Sequence, residues 1–427
     1  MTEYKNLIED IRSDVDRQMD MSREMNDEEI GNIIDDAIMK KSRQIYMSAA
    51  AKLNLRQDLF NSIRRLGLLQ ELIDDGEITE IMVNGPENIY YEKQGVIFRW
   101  DKCFESRQQL EDIIQQIVSR SNRYVNESVP IVDARLEDGS RVNVVLDPVA
   151  LNGPILTIRK FPEKAISMED LINWGSISRE AAEYLKVLVR AGYNIFISGG
   201  TGSGKTTFLN ILAGFLPAGC RVITIEDSAE LQLQNVTNLV RLEARQADQE
   251  GSSSVTIRDL IKTSLRMRPD CLIVGEVRGA EALDMIQAMN TGADSLSTGH
   301  ANSSKDMLSR LETMVLMGTD IPMQSIRSQI GSSIDILVHL GRLRDHSRRV
   351  LEITELEGYE DGKYMLNPLF RFRELHELAG EEIIYGGRRL DEVDGQLERT
   401  GNKLLNRQKL EASALILQEG YPERYSQ

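Results

Sequence analysis

The chain has little cysteine: three in 427 residues, Cys103, Cys220 and Cys271, far apart and never paired as C-x-x-C. That excludes a zinc ribbon or a disulfide framework and leaves reduced structural thiols. Long apolar runs are missing too. None approaches the ~18 residues that a membrane-crossing helix needs, and Met1 to Asp20 has no signal-peptide core. We therefore expect a cytoplasmic protein without a transmembrane segment, reaching any membrane through partners. Positive charge is outweighed: 51 Lys and Arg stand against 67 Asp and Glu, a formal net charge of −16. Nucleic-acid binding draws its affinity from Lys and Arg against phosphate, so this balance argues against a broad nucleic-acid partner. A local basic groove stays open. No internal repeat is present.

What is there describes a globular protein, 41% hydrophobic and 28% charged, and too long for one ordinary core. The stretch that organises it runs from Asn194 to Asn210. A short apolar run, Ile195 to Ile197, suits a buried strand. Gly199, Gly200, Thr201, Gly202, Ser203, Gly204, Lys205, Thr206 and Thr207 follow, matching the G-x-x-x-x-G-K-[ST] phosphate loop. A helix-forming stretch to Leu216 comes next. Glycines let successive backbone N–H groups curl around a phosphate, and the helix points its positive end at the same anion. Lys205 adds a full charge near the β- and γ-phosphates, and the Thr206 hydroxyl suits Mg²⁺. The segment from 199 to 207 is the candidate ATP site.

The rest of the chain arranges itself around that site. Residues 1–60 read as a helical region, with Ile30, Ile33, Ile34, Ala37 and Ile38 at helical spacing. Residues 61–162 read as a smaller α/β domain. It has a strand at Ile81 to Val83, a hairpin over Ile89 to Trp100, a helix with the stripe Leu110, Ile113, Ile114, Ile117 and Val118, and strands at Arg141 to Leu146 and Ile155 to Arg159. Ser106 followed by Gln109 is a capping-box pattern for that helix. Residues 163–178 read as a linker, and residues 179–360 as alternating helices and strands in a parallel sheet. Gln246 to Ser254 reads as an exposed loop, and residues 361–427 as a mixed tail.

Hydrolysis needs more than a phosphate loop. Val222 to Ile225 is an apolar strand ending in Glu226 and Asp227, with Glu230 one turn on. Cys271 to Val274 is another, followed by Gly275 and Glu276. Acids at the C-terminal edge of a parallel sheet sit beside the phosphates, where one orders Mg²⁺ through water and another orients the attacking water. His300 follows an expected fourth strand, Ser295 to Thr298, and is a candidate sensor of the γ-phosphate. The bland readings are solvated strand-end acids and a structural histidine.

With these pieces in order, the chain resembles the secretion ATPase superfamily, which drives type II secretion, type IV pili, Tad/Flp pili and type IV secretion. Walker A matches at Gly199 to Thr206, the Asp box at Ile225 to Glu230, Walker B at Leu272 to Glu276 and the His box at Ser297 to Asn302. The resemblance is strongest to CpaF-type Tad/Flp pilus-assembly ATPases. It is carried by Val132 to Leu136, Asp138 to Asn143, Leu156 to Phe161, Leu265 to Asp270, Gly275 to Gly279, Ser309 to Met314 and Ser347 to Val350. It implies a RecA-like P-loop ATPase domain, preceded by a smaller sensory-domain-like α/β domain and an N-terminal helical region. It also implies a homohexamer working on inner-membrane platform proteins, peripheral to the inner face of the cell membrane. ATP would bind between the two domains, with Arg135, Arg141 and Arg159 reaching its phosphates. A planar, permanently charged guanidinium suits that task.

The residue roles follow. Glu226 polarises the attacking water, Glu276 orders Mg²⁺ through water, and Thr206, Asp227 and Glu230 support the metal site. The His box departs from the family in having Gly299 where an apolar residue is usual. No second histidine follows closely, and the paired C-x-x-C element of many relatives is absent, which favours the CpaF and type IV secretion branches. Two other classes are weighed. A nucleic-acid motor would line a pore with Arg258, Lys262, Arg266 and Arg268; an ATP-binding scaffold would bind without turnover.

Overall fold

The computed structural model describes residues 10–11, 13–15, 17–19, 25–43, 45–93, 95–121, 123–161, 166–245, 254–374 and 393–413. The chain forms two compact units, Met1–Lys164 and Ala165–Gln427. The exposed loop expected at 246–254 lies almost wholly outside the described residues.

After helical residues at 10–11, 13–15 and 17–18, the first unit has helices Asp27–Ser42 and Ala49–Arg64. Asn26 and Glu29 form a capping box at the start of the first. Its stripe Ile30, Ile34, Ala37 and Ile38 is buried against Leu55 and Leu59 of the second, and Ile33 is half-buried. A six-stranded antiparallel sheet follows, built from β1 (Ile78–Asn84), β2 (Ile89–Lys93), β3 (Val96–Arg99), β4 (Ile131–Arg135), β5 (Arg141–Val145) and β6 (Ile155–Arg159). Its order is β3-β2-β1-β6-β5-β4. The helix Arg107–Arg120 buries its whole expected stripe on this sheet. Ser106 caps it by accepting from the Gln109 N–H at 3.2 Å, but the Gln109 side chain turns to the N–H of Glu105 at 2.8 Å instead of closing the box.

The second unit is a nine-stranded sheet, with β7 (Ile195–Gly199), β8 (Arg221–Glu226), β9 (Asn238–Glu243), β10 (Cys271–Val274), β11 (Asp294–His300), β12 (Ile336–Arg342), β13 (Arg348–Glu360), β14 (Lys363–Glu374) and β15 (Gly395–Arg399). The order is β15-β14-β13-β12-β7-β11-β10-β8-β9. The run from β12 to β9 is parallel, as the alternating pattern implies. Strands β13 to β15 then extend it antiparallel, β14 and β15 falling in residues that read from the sequence as a mixed tail. Polar residues alternate in these strands, and Pro368 sits beside a register shift in β14, where a missing N–H is tolerated. The buried Glu355 carboxylate accepts from the N–H groups of Leu405 and Asn406 and from the Asn367 amide, so the segment after β15 is tied to the same sheet.

Helices cover both faces. Arg179–Arg190 and Lys205–Ala213 lie on one; Ile257–Ser264, Glu281–Met289, Ser304–Gly318 and Met323–Ser333 lie on the other. Gly299 has its explanation here. A Cβ on it would sit 2.9 Å from Cε of the fully buried Met307 and 3.1 Å from Phe196, so Met307 fills the space that a larger residue would take. Among the described residues, no helix is long and apolar enough to cross a membrane.

Asn194 ties the N-terminal edge of the parallel strands together. Its amide donates to the carbonyls of Met289 and Ser333, and its oxygen accepts from Ser295 N–H, all in the core. Asn194→Ala leaves three buried backbone groups without partners. We predict a loss of about 2–4 kcal/mol in urea-unfolding stability, since each unsatisfied group costs about 1–3 kcal/mol before relaxation. A loss below about 1 kcal/mol would show that water enters and replaces the amide.

Candidate active site

The phosphate loop connects β7 to the helix Lys205–Ala213. β7 is central and parallel to β11 and β12 on either side, so its C-terminal end opens at the edge where the neighbouring strands also end. Gly199 is the last residue of β7. A Cβ there would lie 2.5 Å from the Leu340 carbonyl of β12 and 2.6 Å from Ser203 Oγ. Gly204, at φ +90°, is the cap from which the helix starts. Ser203 Oγ donates to the Gly200 carbonyl at 2.9 Å and pins the loop into a curl. Thr206 and Thr207 follow Lys205 in the first turn, half-buried. From the β13 side, Arg348 Nε donates to the Gly202 carbonyl at 2.8 Å.

Lys205 is buried, only 7% exposed. Its ammonium donates to the Gly200 carbonyl at 2.9 Å and meets His300 Nδ1 at 3.1 Å. An ammonium has no lone pair, so Nδ1 is the acceptor and the ring carries its proton on Nε2. Nε2 faces Glu276 Oε1 at 2.9 Å, a close contact not aligned as a hydrogen bond. The other Glu276 oxygen holds Arg278 at 2.7 Å. The strand ends of β7, β10 and β11 therefore join Lys205, His300, Glu276 and Arg278 in one chain. Burial pushes both Lys205 and His300 below their ordinary pKa values, with the Glu276 charge opposing each shift.

Glu226 ends β8 and is 3% exposed. One carboxylate oxygen accepts from the N–H groups of Glu230 and Leu231, at 2.8 and 3.0 Å. The other, Oε2, is buried with no donor. Burial pushes its pKa up, and the two N–H donors pull against that. Gly275 leaves room for it, because a Cβ there would lie 3.1 Å from Glu226 Cγ. Asp227 is exposed and Glu230 half-buried. The loop after β8 is held to the phosphate-loop helix by Asn210, which accepts from Gln232 N–H at 2.8 Å. A cavity of about 680 Å³ lies beside the loop, lined by Gly200, Thr201, His300, Asn302 and Arg310 among others.

Arg135, Arg141 and Arg159 belong to the other unit. They are direct cross-strand partners, Arg135 with Arg141 and Arg141 with Arg159, so all three side chains leave one face of the sheet in a row. Like charges placed opposite one another are unfavourable in a sheet. Such a row suits an anion.

Sequence spacing did not single out Arg278 or Arg348 for a role; both lie within segments of the family resemblance. It also passed over His339, whose Nδ1 is 2.9 Å from the hydroxyl of Ser198, one residue before the loop. The signal available was only position: each lies just past or near the end of a strand adjacent to the loop.

This is a nucleotide-phosphate-binding P-loop domain, and comparison with known proteins places it. A family model described as "Type II/IV secretion system protein" matches residues 63–389, and the chain belongs to that family. The uncharacterized protein MJ0781 of Methanocaldococcus jannaschii is 42% identical over 242 residues, 54% of this chain and 33% of that protein, so this chain spans about a third of that relative. The putative conjugal transfer protein MT3759 of Mycobacterium tuberculosis is 32% identical over 301 residues, 69% of this chain and 85% of that one. The X-ray structure of the Legionella pneumophila ATPase DotB is similar with a TM-score of 0.50 at 19% identity, covering 69% of this chain and 80% of that one. The last likeness concerns the fold, a RecA-like P-loop domain preceded by a smaller α/β domain.

The loop's packing gives a paired prediction. Gly199→Ala forces a Cβ into a backbone carbonyl and costs about 1–3 kcal/mol, as overpacking does. Gly200→Ala meets nothing within 4 Å and changes stability by less than about 0.5 kcal/mol. Thermal denaturation of both variants checks the contrast; equal melting temperatures would contradict the loop geometry.

Proposed function

We propose that this protein is a Mg²⁺-dependent ATPase, acting as a homohexamer on inner-membrane platform proteins to assemble a Tad or type IV-like pilus or to drive secretion. The observation that carries the ATPase reading is the convergence on the phosphate loop of Lys205, His300, Glu276 and the buried carboxylate of Glu226. The CpaF-type motifs support the pilus branch. Type IV secretion is the alternative, favoured by the 32% identity to a protein named for conjugal transfer.

In this reading the phosphates of ATP take the loop N–H groups, and Lys205 turns from His300 to the β- and γ-phosphates. His300, released from Lys205, hydrogen-bonds the γ-phosphate and reports its presence. Glu226 Oε2 accepts a hydrogen bond from the attacking water and aligns it. Its buried position makes that acceptor strong, because no solvent competes for it. Arg135, Arg141 and Arg159 stabilise charge on the γ-phosphate as it departs. Thr206, Glu276 and Asp227 are the donors for Mg²⁺, which would neutralise phosphate charge. Among the described residues, no cluster of three or more His, Cys, Asp or Glu could hold a metal alone. That fits an ion shared with the phosphates, since Mg²⁺ usually takes only one or two carboxylates.

The nucleic-acid reading loses ground on one observation. Arg258 and Lys262, two of its four pore cations, both pair with the buried Asp284, at 2.6 and 3.6 Å. Phosphate release that is unchanged by single-stranded DNA is the result we expect.

Phosphate release by the purified full chain tests the proposal. Lys205→Ala should abolish turnover, and Glu226→Gln should bind ATP but not cleave it. Wild-type rates in either variant would remove that residue from its role. Arg135→Ala, Arg141→Ala and Arg159→Ala, made singly, should each cut hydrolysis about 10–1000-fold with ADP affinity nearly intact. If all three hydrolyse ATP normally, the smaller domain takes no part in the chemistry.

A further inference from the structure

Two adjacent arginines at the start of β13 are engaged in opposite ways. Arg349 is saturated. Its guanidinium donates to the carbonyls of Gly175, Gly395 and Val393 and lies over the Phe372 ring, 5.5 Å from the centroid. These contacts join the turn after the helix Met168–Asn173 to β14 and β15. Arg348 is exposed, and among the described residues its guanidinium hydrogen-bonds the Gly202 carbonyl of the phosphate loop. Its stem follows the loop: a Cβ on Gly204 would sit 3.6 Å from Arg348 Cδ. Its cross-strand partner is another exposed arginine, Arg342 of β12. Among the described residues, neither guanidinium has a carboxylate partner.

A fold has little reason to set two arginines opposite each other without an anion. The location says which anion. Leu340, two residues before Arg342, is in register with Gly199, so β12 delivers Arg342 to the same end of the sheet as the phosphate loop. Arg348 approaches the Gly202–Gly204 side, next to the helix start, whose N–H groups take the phosphates nearest the nucleoside in a loop of this type.

We propose that Arg348, with Arg342 beside it, is a binding residue for the α- and β-phosphates of a nucleoside diphosphate or triphosphate. It holds the loop open through the Gly202 carbonyl and closes on the phosphates with the rest of its guanidinium. This rests on the nucleotide-binding reading above but assigns a different task from that of the sheet arginines in the other unit. Those act on the γ-phosphate and spare ADP. Arg348 acts on ADP and ATP alike. A guanidinium that adds one charge-assisted hydrogen bond to phosphate is worth about tenfold in affinity or more.

The test is calorimetric titration of Mg²⁺·ADP into the full chain, with melting temperatures measured alongside. Arg348→Ala should weaken ADP binding at least ~10-fold and leave the melting temperature unchanged. Arg348→Lys should recover part of the loss, because it keeps the charge without the fork. Arg349→Ala should do the reverse, lowering the melting temperature while the folded protein binds ADP as before. Wild-type ADP affinity in Arg348→Ala, with binding lost in Lys205→Ala, overturns this proposal and leaves the ATPase reading standing. A wild-type chain that binds no ADP overturns both. A lower melting temperature in Arg348→Ala, with the affinity loss fully restored by stabilising osmolyte, would make Arg348 structural and overturn the proposal as well.

Discussion

A buried ammonium without a carboxylate of its own is the constraint around which the second unit is arranged. Lys205 donates to one backbone carbonyl and one neutral imidazole, in a place where burial already disfavours its charge. Such a group is costly to keep unless an anion completes it. The loop around it offers backbone N–H groups and a helix N-terminus to the same space. Everything near it is then either a neutral partner, like His300, or a counter-charge at one remove, like Glu276. Arg278 in turn keeps the Glu276 carboxylate occupied.

That arrangement depends on close packing at the end of the sheet. β12 approaches the loop so nearly that Gly199 has no room for a side chain, and the Ser198–His339 contact fixes the strand just before it. β13 adds Arg348 from outside. Gly275 clears the space in which Glu226 turns one oxygen to the backbone and leaves the other without a donor. The site thus combines one buried cation with one buried carboxylate, one of whose oxygens has no donor, both held in a densely packed core. Unsatisfied buried groups of this kind cost stability and are retained where chemistry uses them.

Much of this was legible in the sequence because it is local. The phosphate loop reads from spacing alone, and the strand-end acids Glu226 and Glu276 from apolar runs that stop at a carboxylate. The helix stripe from Leu110 to Val118 read directly from its period. What sequence could not supply was register. Nothing in the spacing of Arg135, Arg141 and Arg159 says that they are cross-strand neighbours, because the β6-β5-β4 pairing decides it. Nor does it say that His300 rather than Glu276 meets Lys205. The later strands β14 and β15 were obscured by interleaved polar residues and a proline, which break any continuous apolar run. Gly299 looked like a departure from pattern and is explained by side chains distant from it in sequence, Met307 eight positions on and Phe196 on β7.

The central claim is that Lys205 is held by His300 and Gly200 until phosphate replaces them. A crystal structure of the Glu226→Gln protein with Mg²⁺·ATP tests it most directly. The account predicts that Lys205 Nζ leaves His300 Nδ1 and the Gly200 carbonyl for the β- and γ-phosphates, with His300 turned toward the γ-phosphate. Phosphates bound while Lys205 still donates to His300 and Gly200 would contradict it.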